Sequence, residues 1–353
     1  MCVCLIVIVD NRVIVCESGT MAEFVTTEMH TGGEPLRIIE KGYPDIPGAT
    51  ILEKIQTMKK TMEDKRKLLM FEPRGHFDMY GVLLVPPDIP SADVGAIFMH
   101  NQGYSTMCGH AMLALGRYIV DKGIVKNPTI PDTKVNIQCP CGLVESYVKY
   151  DGKKTGAVRF FSVPAFLFAK DVSVGVPGYG KITVDISYGG AFYALVALSQ
   201  YNMDRTATIQ KIRDAAGATT DTLKKQLKLT HPESEDLAFL YGTIVTDGKD
   251  QYSEDVSWNV CVFAEREVDR SPCGSGVTAR IAQQYTRNLI KIGQTRTFEG
   301  PTSSRFTAKP VNEVTYGDYS SVIVEVSGNG YYTGTSKFTL EEEDTIGRGF
   351  LLS

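Results

Sequence analysis

The chain has 353 residues, 43% apolar and 22% charged, which suits a globular chain with a full core and about two domains. A formal charge of −4, with no cluster of Lys or Arg, argues against nucleic acid as a partner. Eight cysteines spread over the whole length do not form the dense framework of small secreted domains, so a reducing cytoplasm is the expected compartment.

Met1 to Cys16 is apolar, but Asp10 and Arg12 interrupt it and no positive region precedes it. Such a stretch is too short to span a bilayer and makes a poor signal peptide, so no membrane partner is expected. Residues 1–22 are read as an N-terminal extension outside the fold.

From there, Thr31-Gly32-Gly33-Glu34-Pro35 is a turn signal between two extended stretches, with a strand over Leu36 to Ile39. Ile51, Ile55, Met58 and Met62 recur at helical spacing, which predicts one exposed amphipathic helix over 49–69. Tyr80 to Val85 and Val94 to Met99 read as strands. Ala111 to Leu115 is apolar on every side, the mark of a helix surrounded by protein, and Gly123 ends it. Val135 to Tyr147 reads as a hairpin turning near Pro140-Cys141-Gly142. Val158 to Val163 is a strand, and Pro164 a crossing point between domains. Asp185 to Val196 is apolar around Gly189-Gly190, where glycine points to a close backbone approach. Ile209, Ile212, Ala216, Leu223 and Leu227 mark one or two surface helices. Val256 to Phe263 is a strand, Val277, Ile281 and Tyr285 give the next helix one buried face, and several short strands follow.

Two stretches stand out within this order. Met107-Cys108-Gly109-His110 and Ser271-Pro272-Cys273-Gly274-Ser275-Gly276 each place a cysteine and small residues just before a core helix. A helix N-terminus offers unpaired N–H groups and partial positive charge. Both favour a thiolate, so a cysteine there can fall from about 8.5 toward neutrality. The same N–H groups bind a carboxylate, and Gly109 and Gly274 remove side chains that would block it. Two such ends facing each other would put one sulfur on each side of an α-carbon. One thiolate then takes the α-proton and the opposite thiol returns one, which is racemisation without a cofactor. Asp269, four residues before Cys273, is placed to hold a substrate ammonium or ring nitrogen.

Five motifs carry a family resemblance. His30-Thr31-Gly32-Gly33-Glu34-Pro35, Gly75-His76-Phe77-Asp78-Met79, Met107-Cys108-Gly109-His110, Asp185-Ile186-Ser187-Tyr188-Gly189-Gly190 and Asp269-Arg270-Ser271-Pro272-Cys273-Gly274, in this order, resemble the proline racemase family from about residue 24 to the end. The resemblance implies an α/β (α+β) fold of two pseudo-symmetric halves, each an antiparallel sheet or barrel wrapped round a central helix, as in diaminopimelate epimerase. The halves would be residues 23–163 plus 331–353, and residues 164–330. It implies Cys108 and Cys273 as the acid/base pair, with Gly109, His110, Gly274 and Ser275 on the substrate carboxylate and Asp269 on the ring nitrogen. It also implies a homodimer acting on a small imino acid, with no metal and no cofactor.

Over the whole chain the resemblance is closest to the animal trans-3-hydroxy-L-proline dehydratases. Those carry threonine at the place of Cys273, whereas racemases and 4-hydroxyproline epimerases carry cysteine. Weighting the residue that touches the reaction, the expected activity is inversion of the α-carbon of proline or hydroxyproline. Dehydration of trans-3-hydroxy-L-proline is the close alternative, and non-catalytic imino-acid binding a further one. Other readings are weaker. Cys139-Pro140-Cys141 lacks a second pair for a metal and reads as a turn. A Cys108 thiol hydrolase with His110 or His100 is a weak reading, because two residues along a helix usually point His110 away from the sulfur. Cys2, Cys4, Cys16 and Cys261 read as small hydrophobes, and His30, His76 and Asp78 either line the pocket or hold loops.

Overall fold

The computed structural model describes residues 6–9, 12–15 and 22–352. Ile6–Val9 pairs with Arg12–Val15 in a two-stranded sheet of its own. Residues 1–5, 10–11, 16–21 and 353 lie outside the described residues, and the readings of Cys2, Cys4 and Cys16 and most of the extension fall there.

Apart from the two-residue strands Tyr104–Ser105 and Glu267–Val268, which pair at the edges of Val94–Met99 and Ser257–Phe263, the remaining described strands form two series with the same pairing pattern. The first runs Gly330–Leu340, Ala22–Thr31, Glu34–Lys41, Gly81–Val85, Val94–Met99, Asp132–Cys139, Gly142–Tyr150 and Thr155–Phe161. Its successive pairings are antiparallel, antiparallel, parallel, antiparallel, parallel, antiparallel and antiparallel. The second runs Ala165–Val176, Gly180–Tyr188, Phe192–Ala197, Leu240–Thr246, Ser257–Phe263, Arg296–Glu299, Arg305–Tyr316 and Tyr319–Gly328, and repeats that pattern pair for pair. Its last strand returns to its first, and also pairs with Thr155–Phe161 of the other series. The expected two-half α+β architecture is therefore present. Its sheets are mixed rather than purely antiparallel, because two connections in each half cross over through helices or long loops.

Each half wraps one buried helix: α3, Gly109–Asp121, or α5, Gly274–Thr286. The outer faces carry α1, Ile51–Thr61, and α2, Glu63–Met70, in one half, and α4, Ile209–Gln226, in the other. Strands so covered on both faces are buried throughout, as in Val94–Met99, Leu240–Thr246 and Ser257–Phe263. No described helix is long and apolar enough to cross a membrane.

The Gly32-Gly33 turn is present, both residues at positive φ (62° and 91°), which suits a two-residue hairpin connection. Gly189-Gly190 occupies the matching place in the second half. A Cβ on Gly189 would lie 2.3 Å from the Ser275 carbonyl oxygen of α5, the close approach that the sequence predicts.

Three expectations change. The helix over 49–69 is two helices, broken at Met62, whose φ of −133° is not helical. Thr50 caps α1 through a reciprocal capping box with Glu53, and Ile51, Ile55 and Met58 are buried against the sheet. The final strands are not short: Arg305–Tyr316, Tyr319–Gly328 and Gly330–Leu340 span 12, 10 and 11 residues. And α5 is buried around its whole circumference from Gly274 to Gln284. Its polar side chains find partners inside the protein: the fully buried Arg280 donates through its terminal nitrogens to Asp250, Asn259 and Ser257 at 2.9–3.1 Å.

Candidate active site

Both cysteines stand where the sequence places them. Cys108 is the N-cap of α3 and Cys273 the N-cap of α5, and each carbonyl accepts the first helical N–H, from Met112 at 3.0 Å and Val277 at 2.8 Å. Neither sulfur caps its own helix, so both are left facing the space ahead of it. The backbones differ: Cys108 is extended, at φ −139°, while Cys273 is held at φ 66°. A non-glycine residue there costs of order 1–3 kcal/mol, and the surrounding structure has to impose it. The Ser271 hydroxyl accepts the Cys273 N–H at 3.0 Å and helps to do so.

The two helix mouths meet. A Cβ on Gly109 would lie 2.3 Å from Gly274 Cα, so glycine at these positions is what permits backbone-to-backbone contact. The sequence assigned the glycines to carboxylate access alone. Together the mouths open into a small cavity lined by Cys108, Gly109, His110, Asp269, Cys273, Gly274 and Ser275. All seven expected site residues are thus brought to one place. Tyr80, Met107, Tyr193, Tyr241 and Phe263 complete the wall. Sequence reasoning missed the four aromatic members, since each lies in or beside a strand that looks like ordinary core. The Tyr193 hydroxyl bonds Ser275 Oγ at 2.8 Å, and both hydroxyls lie 3.9 Å from Cys273 Sγ.

His110 does not point away from the sulfur. Its Nδ1 lies 3.0 Å from Cys108 Sγ, and its Nε2 lies 3.2 Å from the Pro35 carbonyl. A carbonyl only accepts, so Nε2 carries the hydrogen and Nδ1 presents a lone pair to the thiol. The ring folds back because Thr31 pins the His110 carbonyl at 2.9 Å and Tyr80 packs edge-on at 4.9 Å. Burial pushes His110 down to about 3, so the ring is neutral.

The expected lowering of Cys108 is also reversed. Burial pushes its thiol well up, and the Ala111 N–H and the Tyr80 hydroxyl, which pull it down, do not prevail. Asp269 is pushed up to about 6 by burial against the Ser271 N–H, which it accepts at 2.7 Å.

Behind Asp269 lies Glu34, fully buried and raised by burial and by Asp269 itself. Polar atoms of Glu34, Asp269 and His110 fall within 4.8 Å of one another. Both nitrogens of His110 are already engaged, so no free imidazole remains for a metal. The cluster reads instead as a pair of carboxyls.

The remaining histidines hold loops. His30 Nδ1 accepts the Gly33 N–H and His76 Nδ1 the Asp78 N–H. Asp78 accepts from Val268 N–H at 3.1 Å and Arg270 at 2.8 Å, tying the two halves together. His100 is buried among Tyr80, Tyr241 and Phe263 and is pushed down to about 3. Cys139 ends the strand before the tight turn of the expected hairpin and Cys141 lies in that turn, while Cys261 is a buried strand residue.

The proline racemase profile matches residues 26–351. The chain is 58% identical over 327 residues to the trans-L-3-hydroxyproline dehydratase of Xenopus tropicalis, covering 92% of this chain and 94% of that one. It is 54% identical over 330 residues to the trans-3-hydroxy-L-proline dehydratase of Homo sapiens, covering 92% and 93%. In fold it superposes on a hydroxyproline epimerase from Agrobacterium vitis, solved with trans-4-hydroxy-L-proline bound, with a TM-score of 0.88 at 24% identity over 95% and 96% of the two chains. Sequence match, barrel pairing and facing cysteine-capped helices agree, and the chain belongs to the proline racemase family.

Proposed function

We propose that the protein is a trans-3-hydroxy-L-proline dehydratase that forms pyrroline-2-carboxylate and water. The observation that carries this reading is 58% identity over 92% of the chain to an enzyme of that name. Inversion at the α-carbon, which Cys273 led us to expect first, becomes the second reading.

The stereochemistry of the substrate supports a one-sided reaction. In the trans-3-hydroxy isomer the hydroxyl and the carboxylate lie on opposite faces of the ring, so the α-hydrogen and the hydroxyl share a face. A single base on that face takes the α-proton, and its conjugate acid returns the proton to the departing hydroxide. The C2–H and C3–O bonds break, a C2–C3 double bond forms, and tautomerisation gives pyrroline-2-carboxylate. Cys108 is assigned this role, with His110 Nδ1 as the acceptor within reach of its thiol. The N–H groups at the mouths of α3 and α5 would receive the carboxylate and the charge that develops on it. Asp269 would hold the ring nitrogen. A cytoplasmic homodimer working without a cofactor belongs to the same proposal.

One observation favours the second reading: Cys273 lines the same cavity as Cys108. A thiol on the opposite face is what α-carbon inversion requires. The test is to offer L-proline, trans-4-hydroxy-L-proline and trans-3-hydroxy-L-proline separately, following pyrroline formation and optical rotation. Pyrroline from the 3-hydroxy substrate alone supports dehydration. Rotation change on the other two without pyrroline from the third overturns it in favour of a racemase or epimerase. Binding of all three without turnover leaves a non-catalytic imino-acid binder.

A further inference from the structure

Glu34 opens the strand that follows the Gly32-Gly33 turn, and no part of it is exposed; Asp269 is 3% exposed. Glu34 Oε2 accepts the Arg270 N–H at 2.7 Å, but Glu34 Oε1 is buried with no partner. Asp269 lines the cavity and Glu34 does not.

The charges around the pair leave it uncompensated. Arg270 is the neighbouring cation, and its guanidinium is spent on Asp78 and the Val268 carbonyl. Glu267 adds a second buried acid near Glu34, the Cys108 and Cys273 thiols share the cavity wall with Asp269, and the buried Cys261 accepts the Asp269 N–H on its carbonyl. His110 is neutral, with both nitrogens committed. Two buried carboxyls this close cannot both ionise unless a positive charge joins them.

We propose that Glu34 and Asp269 hold one proton between them in the unliganded enzyme and release it when a cationic ring nitrogen enters the cavity. Glu34 is thereby a positioning residue. It acts through Asp269, keeping that carboxylate ready for a secondary ammonium and poorly suited to an uncharged ring. The inference rests on the imino-acid reading above. On deprotonation no bond to substrate forms or breaks; the proton leaves to solvent and the pair gains one negative charge against the ligand's positive one.

The direction with pH follows. A ligand that binds the deprotonated pair binds more tightly as pH rises, by up to about tenfold per unit while one proton is displaced. The experiment is titration calorimetry of the full chain with L-proline near about pH 7, in phosphate and in Tris, whose different ionisation heats count the protons exchanged. Pyrrole-2-carboxylate, whose ring nitrogen carries no charge, is the second probe. Expected are release of roughly half to one proton with L-proline, distinctly less with the uncharged ring, persistence of the release in Cys108→Ser and its loss in Glu34→Gln. A wild-type pH series of L-proline affinity needs no variant and decides the matter if Glu34→Gln does not fold. Heat independent of buffer together with affinity independent of pH overturns the shared proton while leaving the imino-acid reading standing. The same release in Glu34→Gln also overturns it. No binding of either probe overturns both.

Discussion

Gly109 and Gly274 touch: a Cβ on Gly109 would lie 2.3 Å from Gly274 Cα, and one on Gly274 would lie 2.5 Å from Gly109 Cα. Backbone cannot yield as a flexible side chain does, so the two helix mouths can converge only where neither residue has a side chain. Gly109→Ala is expected to cost about 1–3 kcal/mol of stability through overpacking. Activity should fall by more than about tenfold, because donors moved by about 1 Å no longer converge on one carboxylate. Thermal unfolding and steady-state kinetics check both. Native values for the variant would mean that the mouths do not meet.

The two cysteines should separate by reaction. Cys108→Ala is expected to abolish pyrroline formation, a loss of at least about 10²-fold for removal of a base. Cys273→Ala should leave pyrroline formation within about tenfold and remove any epimer formation. Chiral chromatography beside a pyrroline assay reads both products. Loss of pyrroline formation in Cys273→Ala would refute the one-sided elimination.

His110 should act on rate rather than affinity. Its Nδ1 faces the Cys108 thiol at 3.0 Å, so His110→Leu removes the acceptor while the backbone N–H of residue 110 remains for the carboxylate. A fall in kcat of about 10²-fold is expected, with KM changed by less than about threefold. Alkylation of Cys108 should slow in parallel. A variant that raises KM and leaves kcat alone would assign His110 to binding instead.

Stability of the unliganded protein should depend on pH through Asp269. Burial holds this carboxyl at about 6, above its usual value of 3.8. A group raised in the folded state stabilises the fold fully below its unfolded value, and that contribution is lost as pH rises through the folded value. About two units correspond to roughly 3 kcal/mol lost between about pH 4 and pH 7. Denaturant unfolding across that range should show the loss in the wild type and a smaller one in Asp269→Asn. Equal slopes would mean that Asp269 is ionised without cost.

Arg280 is a stability prediction away from the chemistry. It is fully buried and pairs with Asp250 at 3.0 Å. Arg280→Met leaves that carboxylate without its cation and is expected to cost about 3–5 kcal/mol. Denaturant unfolding measures it. A loss below about 1 kcal/mol would show that water or Arg296 takes over the carboxylate.

Much of the site was legible because its signals are local. A cysteine, a glycine and an apolar run within a few residues define a buried helix mouth, and Cys108 and Cys273 stand at two of them. Paired glycines mark a turn at Gly32-Gly33 and a close approach at Gly189, since no other residue suits those backbones. Local signals also misled. Helical spacing continues smoothly through Met62, where the chain breaks. The polar Arg280, Gln283 and Gln284 hide a helix that is buried all round, because their partners lie on other strands and on the loop that carries Asp250. Two positions along a helix point away from each other in regular geometry, and only Thr31, Pro35 and Tyr80, packed from elsewhere, turn His110 back onto Cys108.

The amino-acid sequence by itself determined the family, many of the individual strands and helices, and the two thiols at helix mouths, since each is written in contiguous residues or in ordered motifs. The tertiary structure alone decided that the mouths meet at Gly109 and Gly274, that Tyr80, Tyr193, Tyr241 and Phe263 wall the cavity, and that Glu34 sits behind Asp269. Those relations join residues far apart in the chain, and they exist only once the strand series close around α3 and α5. Closure also buries the site, and burial is what raised Cys108 and Asp269 against the pull of nearby donors.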